Sequence, residues 1–313
     1  MADGSFPLFF AKRTSNFQEF ALCFLRPAYL DTSIYNVERM MALAKRVRSP
    51  IVDGLFYPTD SAGVMSFMID IGLKRGRGSQ ARAIIAPHGA WEISGSLAGA
   101  AFASAAGRCN PSRVVVMGPI HNNMEEGVFL SNSHSFQTPL GDIRVDQEAS
   151  GWLESYSPLI TIHDIPHLHE HSIEVLLPFV KYFFPEAAIV PILMGGQGKQ
   201  NIRVLADALH AVFEPIMEDT LLVVSFNLTV YPDNPVELET IEECMRLFRE
   251  GKQRQLQKAF DSGKITGCGG ALVSALLQST LLDGTRPSLA SESLLSALGE
   301  HNKTVYYGAF SFV

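Results

Sequence analysis

Four short runs of apolar, largely β-branched residues constrain the fold of this 313-residue chain more than any other feature. Apolar residues stand at both odd and even positions of each run, so both faces of such a strand would be buried. Strands of this kind are typical of a parallel sheet that lies between two layers of helices. The four predicted strands are Arg82–Ala86, Arg113–Met117, Ala188–Met194 and Thr220–Phe226.

Segments with helical periodicity lie between and after these predicted strands. The alternation predicts a single α/β domain with three αβα layers and a mostly parallel central sheet. The predicted helices are Ser96–Ala106, Gln147–Tyr156, Ser172–Phe183, Asn201–Phe213, Val236–Arg249 and Ala271–Leu282, and a last strand is predicted at Thr304–Val313.

The beginning of the chain lacks this alternation. We predict that residues 1–47 form an N-terminal extension packed on the domain, with a short helix at Val37–Val47. Residues 48–313 then form the domain itself, because no internal repeat, low-complexity tract or linker divides them.

Charge and cysteine content exclude several classes of protein. The net charge is −7 with a pI of about 5.7, and no run of basic residues is present, which disfavours nucleic acid as a partner. The four cysteines form no CxxC pair, so we expect free thiols in a reducing cytoplasm. The apolar stretch at 83–106 is interrupted by His88, Glu92 and glycines, which argues against a membrane span.

Three common nucleotide and hydrolase motifs are also incomplete. The glycines before Lys199 lack the first Gly and the final Ser or Thr of a phosphate loop, and the segment from Gly267 lacks the third Gly of GxGxxG. No GxSxG nucleophile elbow occurs, which disfavours a serine hydrolase of the α/β type.

Two histidines follow predicted strands directly. His88 comes two residues after Ala86, and His121 follows the strand that ends at Met117. Open α/β sheets bind ligands at the carboxyl ends of their strands, and imidazole suits zinc, copper and iron. The pair is therefore a candidate half of a metal site, and the alternative is that each histidine only bonds a loop carbonyl.

Cys268 lies in a Gly-Cys-Gly-Gly sequence at the start of a predicted helix. Flanking glycines allow a close backbone approach, and a helix N-terminus lowers the pKa of a thiol. Both features favour a thiolate ligand or a reactive cysteine. The alternative is a small buried residue at a tight turn.

His171 stands in a histidine-rich segment ahead of an apolar helix and three positions before Glu174. At a helix start the dipole disfavours an imidazolium, which suits a neutral ligand or base. The HExxH zinc signature is not present, because Ile173 occupies the position of its second histidine. Other histidines of this segment fit solvated loop positions equally well.

Seven segments, in this order, resemble the Memo family, also called protein B of the AmmeMemoRadiSam system. Together they span most of the chain after residue 47. They are RSPIVDGLFYP at 48–58, APHGAWEISG at 86–95, MGPIHN at 117–122, TPLGDIRVD at 138–146, EHSIEVLLPFV at 170–180, IVPILMGG at 189–196 and CGGALVSALL at 268–277.

The resemblance implies a fold related to class III extradiol dioxygenases and a metal site built on His88, His121 and Cys268. It places His171 in the same cleft, as a base or substrate contact. It also implies copper or iron as cofactor, with zinc as a further option, and a redox activity.

The sequence departs from the family pattern after the fourth predicted strand. Where the family has Ser-Ser-Asp-Phe-x-His, Asn227 replaces the Asp and Val230 replaces the His, so two groups that could move a proton are absent. Two functions stay open: a metal-dependent redox enzyme, or a non-catalytic binding or scaffold protein on a degenerate dioxygenase-like fold. A hydrolase that uses metal-activated water is a third. We expect a small molecule or peptide in the cleft and no membrane partner, and the sequence leaves the oligomeric state open.

Overall fold

The structure is a computed structural model that describes residues 46–74, 79–107, 111–121, 125–230, 235–291, 296–298 and 304–313. Arg46–Val313 is a compact unit by itself. The predicted extension 1–47 and its helix at Val37–Val47 lie outside the described residues except at their ends. Val47, the last residue of that predicted helix, belongs to a strand instead, where it pairs with Ser135.

The described elements alternate between strands and helices along most of the chain. The strands are β1 (Val47–Arg48), β2 (Ala83–Ala86), β3 (Arg113–Pro119), β4 (Gly127–Leu130), β5 (Ser135–Phe136), β6 (Ile143–Arg144), β7 (Ile160–Ile162), β8 (Ala188–Gly195), β9 (Thr220–Ser225), β10 (Leu228–Val230), β11 (Pro287–Ser291), β12 (Ser296–Leu298), β13 (Thr304–Tyr306) and β14 (Ala309–Phe312). The α-helices are α1 (Ser61–Asp70), α2 (Ser96–Ala105), α3 (Gln147–Tyr156), α4 (Asp164–His169), α5 (Leu177–Phe183), α6 (Lys199–Phe213), α7 (Pro235–Arg249), α8 (Gln253–Asp261) and α9 (Gly270–Gln278). Short turns of other helix types cover Trp91–Gly95, Glu174–Leu176 and Glu214–Asp219.

An eight-stranded sheet with the order β11-β14-β2-β9-β3-β8-β4-β7 forms the centre of the domain. Its inner strands β2, β9, β3 and β8 are the four apolar runs, and they are parallel to one another. Strands β14 and β4 flank them in the antiparallel sense. The mostly parallel sheet is therefore confirmed, and its carboxyl ends at β2, β3 and β9 lie side by side.

Alternate residues of the inner strands belong to two separate apolar layers. On β2, Ile85 packs with helices α6 to α9, whereas Ile84 packs with helices α1, α2 and α5 on the opposite face. This arrangement explains why the runs are apolar at every position, and it confirms the predicted αβα layering. None of the helices in the described residues is long and apolar enough to cross a membrane.

Two predicted elements differ in form from those observed. The predicted strand Thr304–Val313 is two strands, because β13 pairs with β10 in a small separate sheet while β14 pairs with β2 in the central sheet. The chain changes sheets at Tyr307 and Gly308. The predicted helix Ser172–Phe183 begins as a tighter turn at Glu174 and becomes α-helical only from Leu177.

A buried histidine lies beside the edge of the sheet. His167 on α4 is 1% exposed, and its Nε2 lies 3.1 Å from the carbonyl oxygen of Phe129. A carbonyl only accepts, so Nε2 carries the proton. Burial lowers the pKa of His167 to about 4, even though the bond to Phe129 acts in the opposite direction. The folded protein therefore holds this imidazole neutral.

We predict that His167 makes the folded state lose stability as the pH falls from about 6.5 to about 4. In this window the unfolded chain binds a proton that the folded chain excludes, so up to about 3 kcal/mol of unfolding free energy is lost. Urea titrations over this pH range measure the slope. The variant His167→Gln should flatten it, whereas His169→Gln, at an exposed position of the same helix, should not. Equal slopes in all three proteins would contradict the assignment.

Candidate metal centre

The structure brings the three predicted ligand residues to one place. His88 follows β2, His121 follows β3 and Cys268 precedes α9, yet their ligand atoms all lie within 4.8 Å of one another. The rings of His88 and His121 are 5.1 Å apart between centroids. Ligand atoms of a tetrahedral site lie about 3.4–3.8 Å apart at usual bond lengths, so a small contraction would bring the three into range of one ion.

Glycine determines how Cys268 reaches this position. The residue after it, Gly269, has a φ of +91°, and a Cβ there would overlap the carbonyl oxygen of Ser225 at the end of β9. The backbone N–H of Asn227 donates to the carbonyl of Cys268 at 3.0 Å. The cysteine loop thus lies directly against the end of β9.

Hydrogen bonds determine the tautomer of His88. The single hydroxyl hydrogen of Ser225 is donated to the carbonyl of Ser172 at 2.7 Å, so Ser225 accepts from His88 Nδ1 at 2.6 Å. The other ring nitrogen, Nε2, then carries a lone pair. It is buried and has no hydrogen-bond partner among the described residues. Burial lowers the pKa of His88, and the neighbouring His121 lowers it further, so the ring stays neutral.

A buried carboxylate holds His121 in the matching orientation. Glu170 accepts from the backbone N–H of His121 at 2.6 Å and lies 3.0 Å from its Nδ1. A carboxylate only accepts, so Nδ1 carries a proton and Nε2 remains for Cys268 or another ligand. Carboxylate–histidine pairs of this kind orient metal-binding imidazoles.

The protonation states of Glu170, His121 and Cys268 depend on one another. Burial alone would raise the pKa of Glu170, but the hydrogen bonds from His121 and the charges of His121 and His171 together outweigh burial and lower this pKa to about 2. Burial likewise lowers the pKa of His121, yet hydrogen bonds with Cys268 and Glu170 raise it to about 10. The cluster therefore stores a proton that an entering cation would displace.

His171 lies beside this cluster. Its ring stacks on His121 with centroids 5.0 Å apart, and its Nδ1 lies 3.3 Å from Glu170. The pKa of His171 is lowered, chiefly by burial, and His171 precedes the first helical turn instead of opening it. The expected neutral imidazole is present, but burial and not a helix dipole accounts for it.

A second group of ligand atoms consists of His121, Glu170 and His171, also within 4.8 Å of one another. Glu170 already accepts bonds from His121, from the backbone N–H of His171 and from that of Ser172. Its oxygens are thus used within the protein. The lone pair of His88 Nε2 has no such partner, which favours the group that contains His88 and Cys268 as the place for a cation.

The replacement of the family Asp by Asn227 has a structural counterpart. The side-chain oxygen of Asn227 accepts from the backbone N–H of His88 at 3.0 Å, and the residue is 8% exposed. An amide oxygen serves here as well as a carboxylate would, but it cannot take up a proton. Val230 ends strand β10, and its side chain lies outside the described residues.

Arg48, Glu174 and Tyr57 form a polar network that holds the segment of His171 in place. The buried side chain of Arg48 forms an ion pair with Glu174 and also donates to the carbonyls of His167 and Glu170. Glu174 accepts from the hydroxyl of Tyr57 at 2.9 Å as well. The segment that begins at β1 is thereby fixed to the turn that carries Glu170 and His171.

Two adjoining depressions give access to the cluster. A cleft of about 170 Å³ is lined by His121, Met194 and Cys268 among others. A wider groove of about 810 Å³ runs between α6, α8 and α9, and the two share Gln197 and Ala271 in their walls. The cleft that Cys268 lines therefore adjoins the groove.

Sequence reasoning missed three residues of this site. Glu170 lies next to the predicted His171, but the spacing of three positions from His171 indicated Glu174 instead, since residues three apart share a helix face. Ser225 ends β9, and neither the apolar run nor the Ser-Ser-Asp-Phe-x-His comparison indicates that it bonds His88. Tyr307 is 6% exposed, and burial together with negative charge on Cys268 raises its pKa. No sequence pattern marks Tyr307 as the point where the chain changes sheets, because the predicted strand Thr304–Val313 is continuous through it.

We predict that Arg48→Met lowers the free energy of unfolding by about 3–5 kcal/mol, because it leaves the buried carboxylate of Glu174 without its cation. Urea unfolding monitored by fluorescence measures the loss. The control is Arg46→Met, since Arg46 is exposed and should change stability by less than about 1 kcal/mol. Similar, small losses in both variants would show that the Glu174 pair does not hold this segment.

Comparison with other proteins agrees with the segments identified in the sequence. The family described as Memo-like protein matches residues 48–303. A MEMO1 family protein of Aeropyrum pernix is 29% identical over 279 residues, which covers 84% of this chain and 99% of the relative. One from Nitrosopumilus maritimus is 26% identical and covers 85% and 100%. The structure of an uncharacterized protein of Escherichia coli K12 aligns with a TM-score of 0.43 and 12% identity, over 73% of this chain and 98% of that one. The chain belongs to the Memo-like family.

Proposed function

We propose that this protein binds one metal ion through His88, His121 and Cys268 and uses it in a redox reaction on a ligand held in the adjoining cleft. The observation that carries the proposal is the buried Nε2 of His88, which presents a lone pair that no group in the described part of the chain bonds. A buried, unpaired acceptor is costly, and a bound cation would satisfy it.

The donor set supports copper or iron and is compatible with zinc. Two imidazoles and one thiolate are borderline to soft ligands, which suit all three metals and disfavour magnesium or calcium. Three protein ligands also leave at least one position for a substrate. A copper or iron ion would supply one-electron chemistry that no side chain of the cluster supplies.

The residues around the ligands have distinct roles in this proposal. Ser225 and Glu170 fix the tautomers of His88 and His121, so both rings present Nε2. His171 is neutral near pH 7 because its pKa is lowered, and it acts as base or substrate contact. Asn227 holds the His88 loop and exchanges no proton.

The dimensions of the depressions favour a small molecule or a peptide as the ligand. The cleft of about 170 Å³ accommodates a small fragment, and the adjoining groove of about 810 Å³ could hold the remainder. Nucleic acid does not fit the net charge of −7.

A non-catalytic binding protein is the second candidate, and Asn227 is the observation that favours it. Its side chain already bonds the His88 backbone, so the position works without an ionisable group. The double variant Asn227→Asp, Val230→His separates the two candidates. If the variant oxidises a test catechol or thiol that the wild-type protein leaves unchanged, the natural protein is the binding form.

We predict that the protein purified without chelators contains about one copper, iron or zinc ion per chain, and that His88→Ala loses most of it because one of three ligands is absent. Elemental analysis measures the content. His210→Ala is the control, because that ring bonds the carbonyl of Ser279 instead. Equal metal content in wild type and His88→Ala would contradict the assigned ligands.

A further inference from the structure

Two strand registers place Tyr307 opposite the candidate metal centre. In the β2–β14 pair, Ile85 faces Phe310, and continuing this register brings His88 opposite Tyr307. In the β10–β13 pair, Leu228 faces Tyr306, and continuing that register brings Asn227 opposite Tyr307. The switch between the two sheets thus directs this tyrosine toward the loop that follows β2.

Contacts of the side chain agree with this placement. A Cβ added to Gly89, the neighbour of His88, would lie 3.1 Å from the Tyr307 hydroxyl. Cys268 is close enough for its charge to act on the phenol. The phenol is therefore near the residue that follows His88 and within electrostatic range of Cys268.

The Tyr307 hydroxyl stabilises no contact among the described residues through a hydrogen bond. Buried tyrosines usually satisfy their O–H with a protein partner. Within the described part of the chain, no hydrogen bond is found for the Tyr307 hydroxyl, although the residue is 6% exposed. A phenylalanine would fill the same apolar space, so the O–H group is left for a ligand.

We propose that Tyr307 is a ligand-binding residue whose hydroxyl donates a hydrogen bond to an anionic atom bound at the metal site formed by His88, His121 and Cys268. This inference rests on the proposed metal site. At neutral pH a phenol is protonated and so can donate. It recognises small anions or the anionic oxygen of a phenolate, alkoxide or carboxylate, and it discriminates against neutral apolar groups.

Azide and cobalt(II) are suitable probes for this role. Cobalt(II) has visible absorption bands that report its ligands, and azide is a small anion that competes for an open position. We predict that Tyr307→Phe takes up cobalt(II) with the stoichiometry and spectrum of the wild type but binds azide at least about tenfold more weakly, because a bond to a charged acceptor is lost. Titration of the cobalt bands with azide gives the dissociation constants.

The matched control is Tyr306→Phe, the adjacent tyrosine, which packs against the α6–α9 layer and should leave azide affinity unchanged. Azide affinity of Tyr307→Phe within about twofold of the wild type would overturn this inference while leaving the metal site intact. Failure of the wild type to bind cobalt(II) would overturn the proposed function, and this inference with it.

If Tyr307→Phe does not fold, Gly89→Ala decides the question. Its added methyl group crowds the hydroxyl, so it should also weaken azide binding, and unchanged affinity there overturns the inference.

Discussion

The buried carboxylate of Glu170 is the interaction on which the rest of the site depends. It accepts bonds from the loop after β3 through His121 and from the turn of His171 and Ser172. Two segments about 50 residues apart in sequence are thereby joined, and the tautomer of one imidazole is fixed. The carbonyl of Ser172 in turn accepts the hydrogen bond from the Ser225 hydroxyl, which fixes the tautomer of His88. The orientation of both imidazoles therefore follows from one connected set of hydrogen bonds.

The inner strands of the central sheet were predictable, because they follow from the local pattern of apolar residues. The inner strands bury both faces, so their apolar runs identify them without knowledge of the partners, and the strand ends locate His88 and His121. The division at Tyr307 was not predictable, because it depends on which sheets accept β13 and β14. Local composition is equally apolar on both sides of that point.

Among the site residues, too, local sequence pattern identifies some, whereas tertiary contacts determine the others. Spacing along a helix selected Glu174, yet tertiary contacts pair it with Arg48 on the far side of the turn. Glu170 has no periodic signal, since its partners come from other segments of the chain. A single sequence gives no sign of hydrogen-bond networks between distant segments. The Gly-Cys-Gly-Gly pattern did predict a close backbone approach, and the structure shows that the partner is the end of β9.

Membership of the Memo-like family does not decide the chemistry of this chain. Asn227 accepts the hydrogen bond from the backbone N–H of His88 with a side chain that cannot ionise. The position of this imidazole therefore does not depend on an ionisable group at residue 227. Metal ligation and proton transfer are therefore separable properties of the proposed site.

X-ray absorption spectroscopy of the metal-loaded protein tests the central claim most directly, because it counts the scattering atoms around the ion. The account predicts one sulfur at about 2.3 Å and two nitrogen neighbours at about 2.0–2.1 Å with the multiple-scattering pattern of imidazole. A shell of oxygen and nitrogen alone, with no sulfur in wild type and no change in Cys268→Ser, would contradict it.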